Sequence, residues 1–298
     1  MSIRALKTLI AIDKYGSFAA ASQKLGLTQA AVSLQVKKLE DNFQTELFDR
    51  SGHKPNLNTK GQLLLKEARQ IVNHYDRLKG LLRQDESFSG PLIIGSINTV
   101  QAAPLPIVIR EIQNSHPNLQ ISIKTGLSAE LTQAVDAGQL DFAITTAPQI
   151  ILPGSMVWRP YFDERFFVLA PKDFEEDDPK GLLTHHPYVC FDRQAWAGQM
   201  VDQRLKQDGI VTKDGMELDS LEATIKMAQA CLGVAVVSLP DHRAQKLAQT
   251  MKVVPFNDPP LYRSLGLMSK KDSPWNDIID MFFHSLQHHT SAPDLNYF

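Results

Sequence analysis

The segment TQAAVSLQVK, Thr28 to Lys37, gathers the side chains most suited to reading a base pair. Gln29 and Gln35 each carry an amide donor beside an amide acceptor, the pairing that the major-groove edge of adenine takes. Ala30 and Leu34 offer methyl groups for contact with thymine. Ser33, Lys37 and the N–H end of a helix headed by Thr28 suit phosphate oxygens. A little further on, ELFDRSGHKPNL, Glu46 to Leu57, sets Arg50, His53 and Lys54 among Gly and Pro turn residues between short apolar ends. That is the pattern of a two-stranded wing whose basic tip reaches the minor groove or flanking phosphates. A solvated basic loop is the alternative.

The elements that must hold these residues are written around them. Ser17 is an N-cap before Ala19, Ala20 and Ala21, which favour helix and permit close approach of a neighbour. Gly26 supplies the positive φ that ends that helix, and Thr28 caps the next one. Val32, Val36, Leu39 and Phe43 follow at spacings of 4, 3 and 4, a single apolar stripe. Ile3, Leu6, Leu9 and Ile10 give a further amphipathic helix to close a three-helix core. Helix, tight turn and a helix with a polar outer face make a helix-turn-helix. A small bundle whose polar face is merely solvated remains open on the pattern alone.

At this point GSFAAASQKLGLTQAAVSLQVKKLE followed by LFDRSGHKPNLNTKG resembles the LysR-type transcriptional regulators. The resemblance rests on Ser17, Phe18, Ala21, Leu25, Gln29, Val32, Ser33, Gln35, Leu39, Glu40, Leu47, Phe48, Arg50, Leu57 and Gly61 at these spacings. It is sharp over residues 1–65 and looser beyond. It implies a winged helix-turn-helix, a linker helix and a periplasmic-binding-protein-like effector domain of two α/β subdomains, whose chain crosses between them twice. It also implies a homodimer or dimer of dimers on double-stranded DNA, with RNA polymerase as a further candidate partner. Four positions depart from the family pattern. Ser22 stands for a usual Ala, and Gln44 for a common Gly after the recognition helix. Asn58 stands for a Thr before the linker helix, where Asn also caps. Leu34 stands where Arg or Lys is frequent, which removes one DNA contact.

From Thr59 to Gln84 there is no Pro, and Leu64, Ala68, Ile71, Tyr75, Leu78 and Leu82 recur at 4, 3, 4, 3 and 4. Such an a/d stripe suits a dimer coiled coil or a single helix lying on its own domain. DESFSGP then breaks the helix. The expected domains are 1–58 for the DNA-binding head, 59–87 for the linker helix and 88–298 for the effector domain. Within the last, one subdomain takes about 91–163 and 267–298, the other about 164–266. Crossings are expected near Asp163–Phe166 and Leu265–Met268.

The body alternates strand and helix twice. PLIIG, a helix from Ala102 to Asn114, LQISIK, SAELTQAVDAG and DFAIT make the first series. RFFVLA, PYVCF, Trp196–Gln207, MELD, Ser220–Cys231 and VAVVSL make the second, with a last helix from Pro274 to about His288. This rhythm argues for parallel α/β sheet. Ligands in such sheets bind beyond the carboxyl ends of strands, against helix N-termini that favour anions. Ser96, Asn98 and Thr99, then Ser128, then Thr145 and Thr146, then Phe191 and Arg193 follow strands in this way. Arg193 suits a carboxylate, but its neighbour Asp192 suits an amine on the ligand or neutralises the arginine. Each of these residues could equally be a local cap.

Charge is split along the chain. Residues 1–87 hold 14 Lys+Arg against 9 Asp+Glu, and the rest holds 17 against 24, so a basic head precedes an acidic body. The opening residues show no signal peptide, no apolar run is long enough to span a bilayer, and Cys190 and Cys231 read as buried free thiols. A cytoplasmic protein is expected, with no membrane partner. No Walker loop, nucleophile elbow or dinucleotide fingerprint occurs, and the pairs His185–His186 and His288–His289 lack zinc-site spacing. Hence no cofactor, metal or catalytic residue is expected, and the protein reads as a regulator rather than an enzyme. Its effector is expected to be a small organic anion or an amino-acid-like metabolite. The rivals are a constitutive regulator whose C-terminal domain only assembles oligomers, and a solute-binding protein or enzyme with an appended helical domain.

Overall fold

The computed structural model describes residues 2–49, 56–81 and 88–291. The wing-tip residues Arg50, His53 and Lys54, and Leu82 of the linker stripe, lie outside the described residues. The chain divides into two units, one made of residues 1–92 with the segments 115–120 and 137–139, the other of the remainder.

The head begins with α1 (Ile3–Tyr15), α2 (Phe18–Leu25) and α3 (Gln29–Phe43). Each starts on a hydroxyl cap. The side chains of Ser2, Ser17 and Thr28 accept from the N–H groups of Ala5, Ala20 and Ala31, satisfying donors that a helix end leaves free. Gly16 and Gly26 end the first two helices at φ 73° and 65°. Gln44 ends α3 at φ 48° and ψ 41°, with its N–H turned back to Asp41 O and Glu40 O. The turn is therefore built as a glycine would build it, by a residue whose Cβ opposes that conformation. Leu6, Leu9, Ile12, Val32, Val36 and Leu39 form the shared core with Leu47.

Two short antiparallel strands, β1 (Phe48–Asp49) and β2 (Asn56–Leu57), make the stem of the wing. Asn58 then caps α4 (Thr59–Leu81), accepting from Gly61 N–H at 2.9 Å while its own amide donates to Glu46 O at 2.8 Å. The first turns of α4 bury Leu65, Ala68 and Val72 in the head's own core, and Arg69 pairs with Asp13 of α1 at 2.6 Å. Ile71 and Tyr75 of the apolar stripe stay exposed.

The body runs β3 (Gly90–Ser96), α5 (Asn98–Gln101), α6 (Leu105–Ser115), β4 (Leu119–Thr125), α7 (Ser128–Asp136), β5 (Phe142–Thr146) and β6 (Met156–Ala170). It continues through α8 (Pro179–His185), β7 (Pro187–Phe191), α9 (Trp196–Gln207), β8 (Lys213–Leu218), α10 (Leu221–Gln229) and β9 (Val234–Leu239). It closes with α11 (Asp241–Leu247), β10 (Lys252–Pro255), β11 (Tyr262–Lys270) and α12 (Asn276–Ser291). The strands form one sheet in the order β4-β3-β5-β11-β6-β9-β7-β8, with β10 beside β6. β3 and β5 are parallel, as are β7, β8 and β9. β6 and β11 run antiparallel to each other between these two sets. β6 carries Arg165–Leu169 onto β9, and β11 carries Leu265–Ser269 onto β5.

Several elements differ from the sequence expectations. The helix expected over Ala102–Asn114 is α6, which starts only at Leu105, after Pro104; the short α5 lies ahead of the expected span. β6 begins nine residues before RFFVLA. Pro160 and three charged side chains hide its first half, and Pro160 sits opposite Gly266 beside a register irregularity in β11. The acidic run DFEEDDP, Asp173 to Pro179, has structural work. Asp178 caps α8 ahead of Pro179, and Glu176 meets His185 Nδ1 at 2.9 Å and His186 Nε2 at 2.8 Å. Those two histidines hold the Glu176 carboxyl down to about 2. Cys190 is buried as expected, but Cys231 is exposed, at φ 60° in the turn after α10.

Replacing Gln44 by Gly should stabilise the head by about 0.5–1 kcal/mol, since relief of the left-handed strain outweighs the added freedom of the unfolded chain. Chemical denaturation followed by circular dichroism checks this, and an unchanged or lowered midpoint contradicts it.

Candidate functional site

The polar face of α3 is set by its apolar one. With Val32, Val36 and Leu39 buried, Thr28, Gln29, Ala30, Ser33, Leu34 and Lys37 are left exposed along one side. Leu34 is 54% exposed, far more than a core leucine. No acidic residue occupies the first turn of α3, so its N–H groups and dipole stay open to an anion. Gln35 behaves differently. It is half-buried, and its Oε1 accepts from the hydroxyl of Thr8 at 2.6 Å. A glutamine that reads adenine needs both ends of its amide, and one end of Gln35 is already held by α1.

The second site lies in the body, at the carboxyl ends of its parallel strands. A cleft of about 260 Å³ is lined on one wall by Asn98, Thr99, Thr125, Ser128 and Thr146. Phe191, Asp192, Trp196 and Asp219 line the other wall, and Arg263 contributes as well. Each wall follows from topology, because chain leaving a parallel strand must turn into a helix there. Ser128 opens α7 and accepts from Thr146 N–H at 3.1 Å, joining the ends of two elements. The Gln101 amide donates to Ser96 O at 2.8 Å and to Thr125 Oγ1 at 2.9 Å, fixing α5 against the strand ends. On the other side, α9 approaches so closely that a Cβ on Gly198 would lie 2.1 Å from Asp192 O.

Five of the eight expected effector residues line the cleft: Asn98, Thr99, Ser128, Thr146 and Phe191. Ser96, Thr145 and Arg193 do not. Ser96 and Thr145 are fully buried. Side chains alternate across a strand, so the neighbour of Thr146 cannot share its face. Arg193 points away, with Nε 3.3 Å from Asp202 Oδ2 on α9 and its backbone N–H on Glu217 Oε1 at 3.0 Å. The arginine at the cleft is Arg263 on β11, which sequence reasoning missed.

Arg263 is 3% exposed and donates through Nε to Glu164 Oε2 at 3.1 Å. Its Nη2 pairs with the same oxygen, and also reaches Thr99 Oγ1 at 3.4 Å. Ser238 Oγ donates to that oxygen too, at 3.1 Å. This ion pair sits where β6 and β11 run side by side and joins strand ends from both parallel sets. The only sequence signal was an Arg-Ser step at the head of an otherwise apolar strand. Its partner lies 99 positions away.

Most of the head and of the body match known protein-family models. Residues 3–62 match the bacterial regulatory helix-turn-helix protein of the lysR family, and residues 85–291 match the LysR substrate binding domain. The chain belongs to the LysR family of transcriptional regulators. Among similar sequences, this LysR-family chain is 26% identical over 291 residues to the HTH-type transcriptional regulator CzcR of Bacillus anthracis, covering 97% of this chain and 98% of that one. It is 30% identical over 244 residues to the "Probable RuBisCO transcriptional regulator" of Cyanidioschyzon merolae, covering 78% and 80%. Among solved structures, ArgP from Mycobacterium tuberculosis shares the fold at a TM-score of 0.75 and 20% identity, covering 97% of both chains. Full-length CbnR complexed with its target DNA does so at 0.59 and 18%, covering 97% of this chain and all of that one. Among the described residues no helix is long and apolar enough to cross a membrane, and no group of three His, Cys, Asp or Glu is placed to hold a metal ion.

Breaking the buried pair on one side leaves a stranded charge, so Arg263→Met should cost about 3–5 kcal/mol. The double variant Arg263→Met with Glu164→Leu should recover most of that loss. Denaturant unfolding of the three proteins checks this. A double variant no more stable than the single one contradicts the pairing.

Proposed function

We propose that this LysR-family regulator binds operator DNA through α3 and that a small molecule held in the cleft of its body sets that binding. Gln29 is the base reader, with Ala30 and Leu34 against thymine methyls and Thr28, Ser33 and Lys37 on phosphates. Gln35, held by Thr8, acts chiefly to fix the helix. Arg50, His53 and Lys54 reach the duplex from the wing. The observation that carries this reading is the two-sidedness of α3: one face closes the core, and the other is exposed, capped and free of acidic residues in its first turn.

In this reading the head takes residues 1–58, the linker helix 59–87 and the effector domain 88–298. Exposed Ile71 and Tyr75 on α4 suit packing against a second copy, and two recognition helices held one DNA turn apart read a palindrome. The protein works as a cytoplasmic homodimer or dimer of dimers, without catalysis, and RNA polymerase is its further partner at a promoter. The cleft favours a sensor over a body that only assembles oligomers. Hydroxyls, a helix N-terminus, two aromatic rings and a buried arginine converge there on a cavity of about 260 Å³, the mixture of lining groups found in ligand sites. Asn98, Thr99, Ser128, Thr146, Phe191 and Arg263 hold the effector.

Gln29→Ala should weaken binding to the operator by about 1–3 kcal/mol while leaving binding to random DNA nearly intact. Gel-shift titrations on both DNAs test this, and equal loss on both removes Gln29 as a reader. Operator affinity should also fall steeply between low and high salt as phosphate contacts release counterions. A flat response, measured by fluorescence anisotropy, argues that the head is not a DNA module.

A further inference from the structure

We infer that the effector is a zwitterion of α-amino-acid size, whose protonated amine is taken by Asp192 and Asp219. This rests on the reading of the cleft as the effector site and names the chemistry that the site selects.

The two carboxylates are placed by strand pairing. β7 and β8 are parallel, with Phe191 opposite Leu218, and Asp192 N–H donates to Leu218 O at 2.9 Å. Asp192 and Asp219 each follow directly on the last residue of their strand. Neighbouring strands lie about 4.8 Å apart, so two like charges stand side by side at the cleft wall. Local capping accounts for only part of this. Asp192 Oδ1 accepts from Gln194 N–H at 2.7 Å, which leaves its second oxygen. Asp219 is exposed, and the cap of α10 is supplied by its neighbour Ser220, whose side chain accepts from Ala223 N–H. Among the described residues no Lys, Arg or His forms an ion pair with either aspartate.

The charge balance of the cleft excludes a plain anion as the best ligand. Its charged lining is Glu130, Asp192, Asp219 and Arg263. Arg263 is already matched by buried Glu164. Arg193, the other cation near this wall, is turned to Asp202. A dianion entering here meets carboxylates and finds no uncommitted positive side chain. An ammonium meets two acceptors whose charges it relieves, with the aromatic rings of Phe191 and Trp196 on the same wall.

The opposite wall takes the anionic end. Ser128 is 5% exposed, and its oxygen is occupied by Thr146 N–H. Its own proton has no acceptor among the described residues, and it lines the cavity at the head of α7. A hydroxyl donor at the N-terminus of a nine-residue helix suits a carboxylate. The two walls together read one molecule bearing both charges. A cavity of about 260 Å³ is below the range for drug-sized ligands and fits an amino acid.

The test uses the full chain. Its thermal stabilisation is measured with each of the twenty protein-forming L-amino acids, with the matching carboxylates that lack the α-amine, and with putrescine and cadaverine. Hits are then titrated calorimetrically. At least one amino acid should stabilise the protein, and its amine-free counterpart should bind at least tenfold more weakly. The Asp192→Asn, Asp219→Asn double variant keeps the Gln194 turn, because an amide oxygen still accepts there. It should lose at least tenfold in amino-acid affinity while its melting temperature in the absence of ligand is not lowered. Asp219→Asn alone, an exposed site, serves if the double variant folds poorly. Amine-free carboxylates that bind as tightly as amino acids, to wild type and variant alike, overturn the amine and leave the effector cleft standing. Diamines that bind as tightly overturn the anionic end. Stabilisation by no compound overturns the proposal, and operator binding by the same preparation shows whether the regulator reading survives it.

Discussion

The buried pair of Arg263 and Glu164 is the interaction on which the body depends. β11 pairs with β5 of one parallel set and β6 with β9 of the other, and the pair locks β6 and β11 to each other while touching Thr99 on one side and Ser238 on the other. Both side chains are nearly inaccessible, at 4% and 9%. Such a pair adds little net stability over an apolar substitute, but losing one member is severe. Its value lies in position. A molecule that enters the cleft meets Arg263 directly, and any change in Arg263 is felt by both strands that join the two halves. A ligand shifts a protein between states only through differential affinity for them, and a charged group at the joint is where that difference can arise.

The head relies on a different constraint. In α3 one face closes the core while the other stays exposed, and the 3.6-residue repeat separates the two faces cleanly. Thr8 extends the arrangement, since its hydroxyl holds Gln35 from a neighbouring helix. Gln44 marks where the sequence gives up some stability, taking a left-handed turn that glycine would take freely.

How legible this was in the sequence depended on how local each signal is. The caps Ser17, Thr28 and Asn58, the glycine turns and the apolar stripe of α3 act within four residues of one another, and all could be read directly. The parallel strands of the body were legible as apolar runs. The first half of β6 was not, because Pro160 and its charged neighbours read as loop, and only pairing with a distant strand makes them sheet. The cleft was half legible. Strand ends point to Asn98, Thr99, Ser128, Thr146 and Phe191, but the side of the sheet on which Thr145 or Ser96 falls depends on strand register. Arg193 looked like the cleft arginine because it follows a strand, whereas Arg263 is brought there by a crossing strand whose partners lie 99 and 164 positions away.

The central claim is that occupancy of the cleft and occupancy of the operator are thermodynamically linked. Linkage is reciprocal, so a molecule that changes DNA affinity by some factor must have its own affinity changed by the same factor when DNA is bound. Calorimetric titration of a cleft ligand into the full chain, alone and saturated with operator DNA, measures this directly. The account predicts two different dissociation constants whose ratio equals the ligand's effect on operator affinity. A ligand that binds the cleft with the same constant in both states, and leaves operator affinity unchanged, contradicts it.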